Sequence, residues 1–487
     1  MLFETHPPRS IDAASKQAIR GHYDRVAAAR GRFRARHWYY HRQIIRYLRF
    51  VIPRGSRVLD IGCGDGALLR ALHPRTGVGI DFSEGMIAAA RNQWAAKADP
   101  GISLEFHAAD IEATTFNETF DFVILSDVLG NLLDIQQALD NVRTACSDET
   151  RIVINYHSIL WEPLLKLGES LSYKMPQPHH NWLSPADIRN FLTLSDMELV
   201  RHERKLLFPL HVPLLSFALN RFIAPLPLIN TLCLSHFIIA RNRPRPAPRD
   251  HSVTIVIPCR NERGNVRPAL DRLPQFGTRQ QIIFVDGRST DGTPEEVRRA
   301  IEDRRDRDIR LLVQNGTGKG DAVRLGFANA TGDILMILDA DLTVPPEDLP
   351  RFYEALAAGK GDFINGSRLV YAMEKQAMRF LNTLGNALFS ALFSWLLSQK
   401  LKDTLCGTKV LFKKDYLEIE RQRSYFGDFD PFGDFDLLFG AAKLNLKILE
   451  LPIRYRDRTY GTTNIHRIRH GLLLLRMSVT ALRKFKA

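Results

Sequence analysis

Residues 241–250 read RNRPRPAPRD, and this run constrains the chain more than any other stretch of it. Proline fixes φ and removes a backbone donor, and the arginines hold the run in water, so an extended spacer is expected there. It falls near the middle of 487 residues, leaving each side enough chain for a domain of its own. On both sides, short β-branched runs alternate with longer helical patterns: RVLDIG, GVGID, FDFVILS and RIVINY before it, and VTIVIP, QIIFVD and DILMILD after it. That alternation predicts an α/β fold in two domains, 1–240 and 251–487, each built on a parallel sheet.

In the first half, Val58 to Gly66 reads as a strand entering a glycine loop, with a helix from about Ala67. Glycines let a backbone turn tightly and approach a ligand closely. The loop is Asp-x-Gly-x-Gly-x-Gly, not the Gly-x-Gly-x-x-Gly that opens a dinucleotide-binding helix. A second strand ends in Asp81, whose carboxylate can accept both hydrogen bonds of a ribose diol. A third leads to Asp110 and a fourth to Ser126-Asp127.

These residues resemble the class I S-adenosylmethionine-dependent methyltransferases over about residues 20–240, with a Rossmann-like sheet. The resemblance implies that Asp60, Gly62, Gly64 and Gly66 shape the methionine pocket, that Asp81 holds the ribose, and that Asp110 and Ile111 lie at the adenine. Tyr156, His157, His179 and His180 fall in later loops, where each is either a structural residue or part of an acceptor site. Residues 206–235 are strongly apolar and broken by Pro209, Pro213, Pro225 and Pro227. They form either a subdomain covering the sheet or a greasy, membrane-facing lid for a lipid-like acceptor.

The second half is denser in motifs. An apolar strand, Val253 to Pro258, precedes Cys259-Arg260-Asn261-Glu262; another ends in Asp286; Lys319 stands between Gly318 and Gly320; and a strand from Ile334 delivers Asp339-Ala340-Asp341. Two strand-end carboxylates suit Mg2+ or Mn2+, hard cations that bridge oxygen ligands to a diphosphate and neutralise the charge growing on it.

This ordered set resembles glycosyltransferase family 2, with the GT-A fold, across residues 251–460. The resemblance implies a nucleotide-sugar donor, with Pro258 and Glu262 framing the nucleotide pocket, Asp286 at the base and Lys319 near the nucleotide. It implies Asp339 and Asp341 on the metal and diphosphate; Gly287 stands where the family usually has a second aspartate. Gly366-Ser367-Arg368, Asp403 with Cys406 to Lys409, Asp434-Phe435-Asp436 and Arg458 to Asn464 are similar to the polyprenyl-phosphate sugar transferases. A lipid phosphate is already an anionic nucleophile and needs cationic positioning, which Arg368, Arg379 and Arg458 could supply. Asp434 or Asp436 could instead serve as base for a hydroxyl acceptor, so these residues leave the acceptor class open. No Gln-x-x-Arg-Trp motif of processive synthases occurs, so one sugar per turnover is expected.

Net charge is +13, which suits an anionic partner. With no aromatic-interleaved basic groove, nucleic acid is not expected as that partner. Five scattered cysteines and an N-terminus without an apolar core fit a reducing, cytoplasmic setting. Residues 380–399 carry no charge, yet Asn382, Asn386, Ser390, Ser394 and Ser398 recur every four positions. A single crossing there would also divide Asp339 and Asp341 from Asp403 and Asp436, so a surface-packed or interfacial helix is expected, with a hairpin dipping into the bilayer as the alternative. In residues 466–487, Ile468, Leu472, Leu475, Val479 and Leu482 form one helical stripe beside Arg469, Arg476 and Arg483. Such a helix either packs on its own domain or docks peripherally on an anionic membrane surface. The organisation fits a bifunctional enzyme, or a glycosyltransferase whose first domain binds S-adenosylmethionine as a regulatory module without methyl transfer.

Overall fold

The structure is a computed structural model that describes residues 2–6, 13–94, 101–175, 177, 180–244, 250–368, 380–404, 406–425, 433–454, 456, 458, 460 and 477–486. The chain forms two compact units, Met1–Arg243 and Pro244–Ala487.

The first unit is a seven-stranded mixed sheet. Its strands are β1 (Arg57–Ile61), β2 (Thr76–Asp81), β3 (Ser103–Ala108), β4 (Phe120–Ser126), β5 (Cys146–His157), β6 (Met197–Lys205) and β7 (Ser235–Asn242), in the order β3-β2-β1-β4-β5-β7-β6. The first five pair in parallel, and β7 runs antiparallel between β5 and β6. Strands covered on both faces must be apolar throughout, which is why they stand out in the sequence as continuous runs. Leu59, Val123, Leu125, Ile152 and Ile154 fill one face. Val58, Ile124 and Val153 fill the other, with Ile44, Leu48 and Val51. Those last three come from α2 (Trp38–Val51), which follows the long α1 (Ala13–Arg36). After β5 comes α3 (Glu162–Ser170). The proline-broken segment 206–235 forms only short turns, Leu215–Ala218, Leu219–Ile223 and Ile229–Leu232. Because β7 extends to Asn242, the first two residues of the expected spacer belong to the sheet; residues 245–249 lie outside the described residues.

The second unit is also a seven-stranded mixed sheet: β8 (Val253–Cys259), β9 (Gln280–Asp286), β10 (Asp308–Val313), β11 (Ile334–Ile337), β12 (Phe363–Ser367), β13 (Lys409–Phe412) and β14 (Ile448–Pro452). The order is β10-β9-β8-β11-β13-β12-β14, with β13 antiparallel to both neighbours. Helix α4 (Lys319–Ala328) leads towards β11, and α5 (Phe380–Leu397) and α6 (Asp434–Lys443) flank β13 and β14 in sequence.

Among the described residues, no helix is long and apolar enough to cross a membrane. The second half of α5 packs on its own domain. Phe393 is fully buried, its ring 5.1 Å from Phe435 and 5.5 Å from Phe439, while the Ser390 and Ser394 hydroxyls donate to the Leu401 carbonyl. Replacing a fully buried phenylalanine leaves a cavity, so Phe393→Ala is expected to cost about 3–5 kcal/mol in urea unfolding of the full chain. A helix lodged in lipid would show no such loss in detergent-free buffer.

At the C-terminus, Met477, Ala481 and Phe485 are buried, whereas Val479 and Leu482 of the expected stripe face outward with Arg483. Ile468, Leu472, Leu475, Arg469 and Arg476 lie outside the described residues.

Candidate functional site

In an open α/β sheet, ligands bind beyond the carboxyl ends of the strands, where the strand order reverses. In the first unit that point lies between β1 and β4. A cavity of about 530 Å³ opens there, lined by Asp60, Gly62, Asp81, Asp110, Ile111 and Asp127 among others. The loop after β1 needs its glycines: Gly62, Gly64 and Gly66 have φ of +70°, +53° and +71°, a region that side chains disfavour. Asp81, at the end of β2, braces that loop, accepting from Gly64 N at 2.9 Å and Ser83 N at 3.0 Å. Asp110 caps the turn that begins at Ile111 and pairs with Lys16 of α1.

Asp60 is the most unusual group. It is 1% exposed, and its Oδ2 has no hydrogen-bond partner. Burial, with the Asp81 carboxylate next, pushes its carboxyl up to about 8. A buried carboxyl with an unpartnered oxygen beside a cavity is suited to a cationic ligand.

The same cavity is lined by a second polar group. The Tyr40 hydroxyl donates to Asp127 Oδ2 at 2.9 Å and lies 3.1 Å from His157 Nε2; Asn155 Nδ2 donates to the other Asp127 oxygen at 3.0 Å. Burial, opposed by Asp127, lowers the His157 pKa, so its imidazole is neutral at pH 7. Tyr156 is a structural residue, its hydroxyl 3.1 Å from His236 Nδ1 inside the fold. His180 packs on Trp182 at 4.4 Å, and His179 lies outside the described residues. Sequence reasoning missed Tyr40, and also the cavity residues Tyr23, Arg30 and Arg34 of α1.

In the second unit the reversal lies between β8 and β11. Pro258 is the penultimate residue of β8, with Glu262 beyond the strand; Asp286 ends β9 and accepts from Ser289 N at 3.1 Å; Asp339 and Asp341 follow β11. Lys319, at the start of α4, reaches Asp339 Oδ1 at 2.5 Å. Arg458 spans Glu262 Oε1 at 3.1 Å and Asp341 Oδ2 at 2.8 Å. Burial works against the Asp339 charge, yet the Lys319 ammonium holds its carboxyl below the usual carboxylate range, helped by Lys409 and Arg368. Burial raises Glu262, with Arg458 opposing. A Cβ on Gly407 would collide with both Asp339 Oδ2 and Lys319 Nζ, so only glycine lets that loop close over the pair.

The remaining expected residues are ion-paired. Arg368 donates from Nε and Nη2 to Asp403 at 2.6 and 2.8 Å, and Asp403 is fully buried. Lys409 meets Asp434 at 3.1 Å, and Arg423 meets Asp436 at 3.3 Å. Arg379 lies outside the described residues.

Comparison with known proteins places a family on each unit. The description "Methyltransferase domain" matches residues 32–202, and "Glycosyl transferase family 2" matches residues 254–419. Glycosyltransferase AglJ of Haloferax volcanii is 27% identical over 226 residues, 46% of this chain and 70% of the relative. The dolichol-phosphate mannosyltransferase of Saccharomyces cerevisiae is 35% identical over 109 residues, 21% of this chain and 40% of the relative. The undecaprenyl-phosphate 4-deoxy-4-formamido-L-arabinose transferase of Pectobacterium carotovorum is 36% identical over 112 residues, 22% of this chain and 34% of the relative. The chain thus spans less than half the length of the latter two. It carries a methyltransferase domain of Rossmann-like fold fused to a glycosyltransferase family 2 domain of GT-A-like fold.

Proposed function

We propose that the chain is a bifunctional enzyme. Its second domain transfers one sugar from a nucleotide sugar to a polyprenyl phosphate, and its first transfers a methyl group from S-adenosylmethionine to a substrate of the same pathway. The observation that carries the first half is the meeting of Asp339 and Asp341 with Lys319 and Arg458 at the carboxyl ends of β8 and β11. An all-oxygen donor pair with cations at its edge fits a Mg2+ or Mn2+ ion completed by diphosphate oxygens. When bound, that ion supplies electrostatic stabilisation of the leaving diphosphate.

The chain's own residues do the rest. Lys319 adds fixed positive charge beside the diphosphate, and Glu262 and Asp286 orient the nucleotide. The carboxylates that could act as a base are each ion-paired, Asp434 with Lys409 and Asp436 with Arg423. That favours an acceptor that arrives ionised, such as a lipid phosphate, as do the names of the yeast and Pectobacterium relatives. Arg368, held by Asp403, and Arg458 position its phosphate, with Arg379 in the same role. The outward Val479, Leu482 and Arg483 support a peripheral seat on the cytoplasmic membrane face. Incubating the protein with a polyprenyl phosphate, Mn2+ and a panel of nucleotide sugars tests this directly, with a glycosylated lipid phosphate as the expected product.

In the first domain, Asp60 and the glycine loop receive the methionine portion, Asp81 the ribose, and Asp110 with Ile111 the adenine. S-adenosylmethionine carries an ammonium and a sulfonium, which suits the unpartnered Asp60 oxygen. Below about pH 8 the free protein holds Asp60 protonated, and a cationic ligand favours the carboxylate. Binding should therefore release a proton, and affinity should rise with pH up to about 8 and then level. Calorimetry at pH 7 in phosphate and in Tris checks this: different apparent enthalpies are expected, and equal ones would rule out a titrating Asp60.

A further inference from the structure

The first domain exposes an apolar rim beside its cavity. Leu160, Leu164, Leu167 and Leu171 are spaced four, three and four apart on and beside α3, one stripe of a helix, and all are exposed. A helix packed on a globular core turns such a stripe inward; this one is turned outward. The segment 206–235 adds Leu214 and Leu228, each 84% exposed, with Phe217 and Phe222 at 59% and 62%. The two surfaces are joined: Trp161 Nε1 donates to the Leu232 carbonyl at 2.8 Å, and Trp161, Leu164, Pro209 and Leu210 also line the cavity. The apolar surface therefore continues into the wall of the cavity that Tyr40, Asp127 and His157 also line.

Cations border it. Arg36 lies 5.8 Å over the Tyr173 ring and donates to the Ser172 carbonyl, next to Leu171. Arg42 lies 6.0 Å over the exposed Trp38, whose ring is 4.8 Å from His211 of the apolar segment. Exposed leucine and phenylalanine bordered by arginine and tryptophan match the two layers of a lipid surface, acyl chains below and anionic headgroups above.

We infer that this rim docks the first domain on an anionic phospholipid leaflet, and that the methyl acceptor is an amphiphile that enters the cavity from the leaflet, head group first. The apolar rim keeps the lipid tail, and the Tyr40, Asp127 and His157 group receives a hydrogen-bonding head. This choice of acceptor rests on the methyl-donor reading above; the docking does not.

The test uses the full chain and vesicles of phosphatidylglycerol and phosphatidylethanolamine. Leu171→Glu, Leu214→Glu and Leu228→Glu are combined, because none of the three lines the cavity. The C-terminal segment stays in every sample. The wild type is expected to float with the vesicles, and the triple variant to lose at least tenfold of its partitioning. S-adenosylmethionine binding measured by calorimetry should stay unchanged, which shows the fold intact and keeps failure of the donor reading separate from failure of docking. A variant that floats as the wild type does overturns the inference, as does a wild type that does not float. So does a wild-type dimer that the substitutions convert to monomer while flotation persists, since a second copy would then cover the rim.

Discussion

Asp341→Asn is expected to lower sugar transfer by about 10²–10³, the scale of losing one preorganised charge at a developing anion. The substitution keeps the shape of the side chain but removes its charge. The Thr343 bonds at 3.2 and 2.8 Å go to Asp341 Oδ1, which an amide oxygen can replace, so the turn after β11 should survive. What is lost is the partner of Arg458 Nη2 and one of two hard oxygen donors. The loss should fall on kcat, and excess chelator should reduce the wild type to a similar level. A variant with wild-type turnover, or a wild type indifferent to chelator, would remove Asp341 from the proposed metal site.

The second large effect is expected in the other domain. Asp81→Ala should abolish detectable S-adenosylmethionine binding in calorimetry while sugar transfer persists. Two effects combine. The ribose loses its proposed acceptor, and the glycine loop loses the carboxylate that holds Gly64 and Ser83. Asp81→Asn separates the two, since its amide oxygen can keep one backbone bond. Partial binding is expected for Asn and none for Ala. Wild-type affinity in the alanine variant would exclude the ribose assignment.

Most of the frame was legible in the residues because buried parallel strands must be apolar. The runs at Val58, Val78, Phe122, Val253, Ile282 and Ile334 all lie in strands of the two sheets. Candidate ligand groups gather at strand ends, so Asp81, Asp286, Asp339 and Asp341 stand out by position, whereas Asp60 comes only from the family resemblance. What could not be read is pairing across long separations. Arg458 meets Glu262 across 196 residues and Asp341 across 117, and Arg368 meets Asp403 across 35. No local pattern encodes such contacts. Tyr40 carried no signal either: it belongs to α2, whose apolar positions Ile44, Leu48 and Val51 look like ordinary core, and only the fold brings it to Asp127 and His157. The segment 206–235 shows the opposite limit. Its apolarity was plain, but apolar side chains facing a core and facing outward have the same composition, and only the exposure of Leu214 and Leu228 separates them.

The central claim is that the second domain transfers a sugar to a lipid phosphate through Asp341, independently of the ligand site in the first domain. Its most direct test is mass spectrometry of lipid products from wild type, Asp81→Ala and Asp341→Asn, each incubated with polyprenyl phosphate, Mn2+, S-adenosylmethionine and a panel of nucleotide sugars. A polyprenyl phosphate heavier by one sugar residue is expected from the wild type and Asp81→Ala, and only traces from Asp341→Asn. No glycosylated lipid from any donor, or equal amounts from all three proteins, would contradict the account.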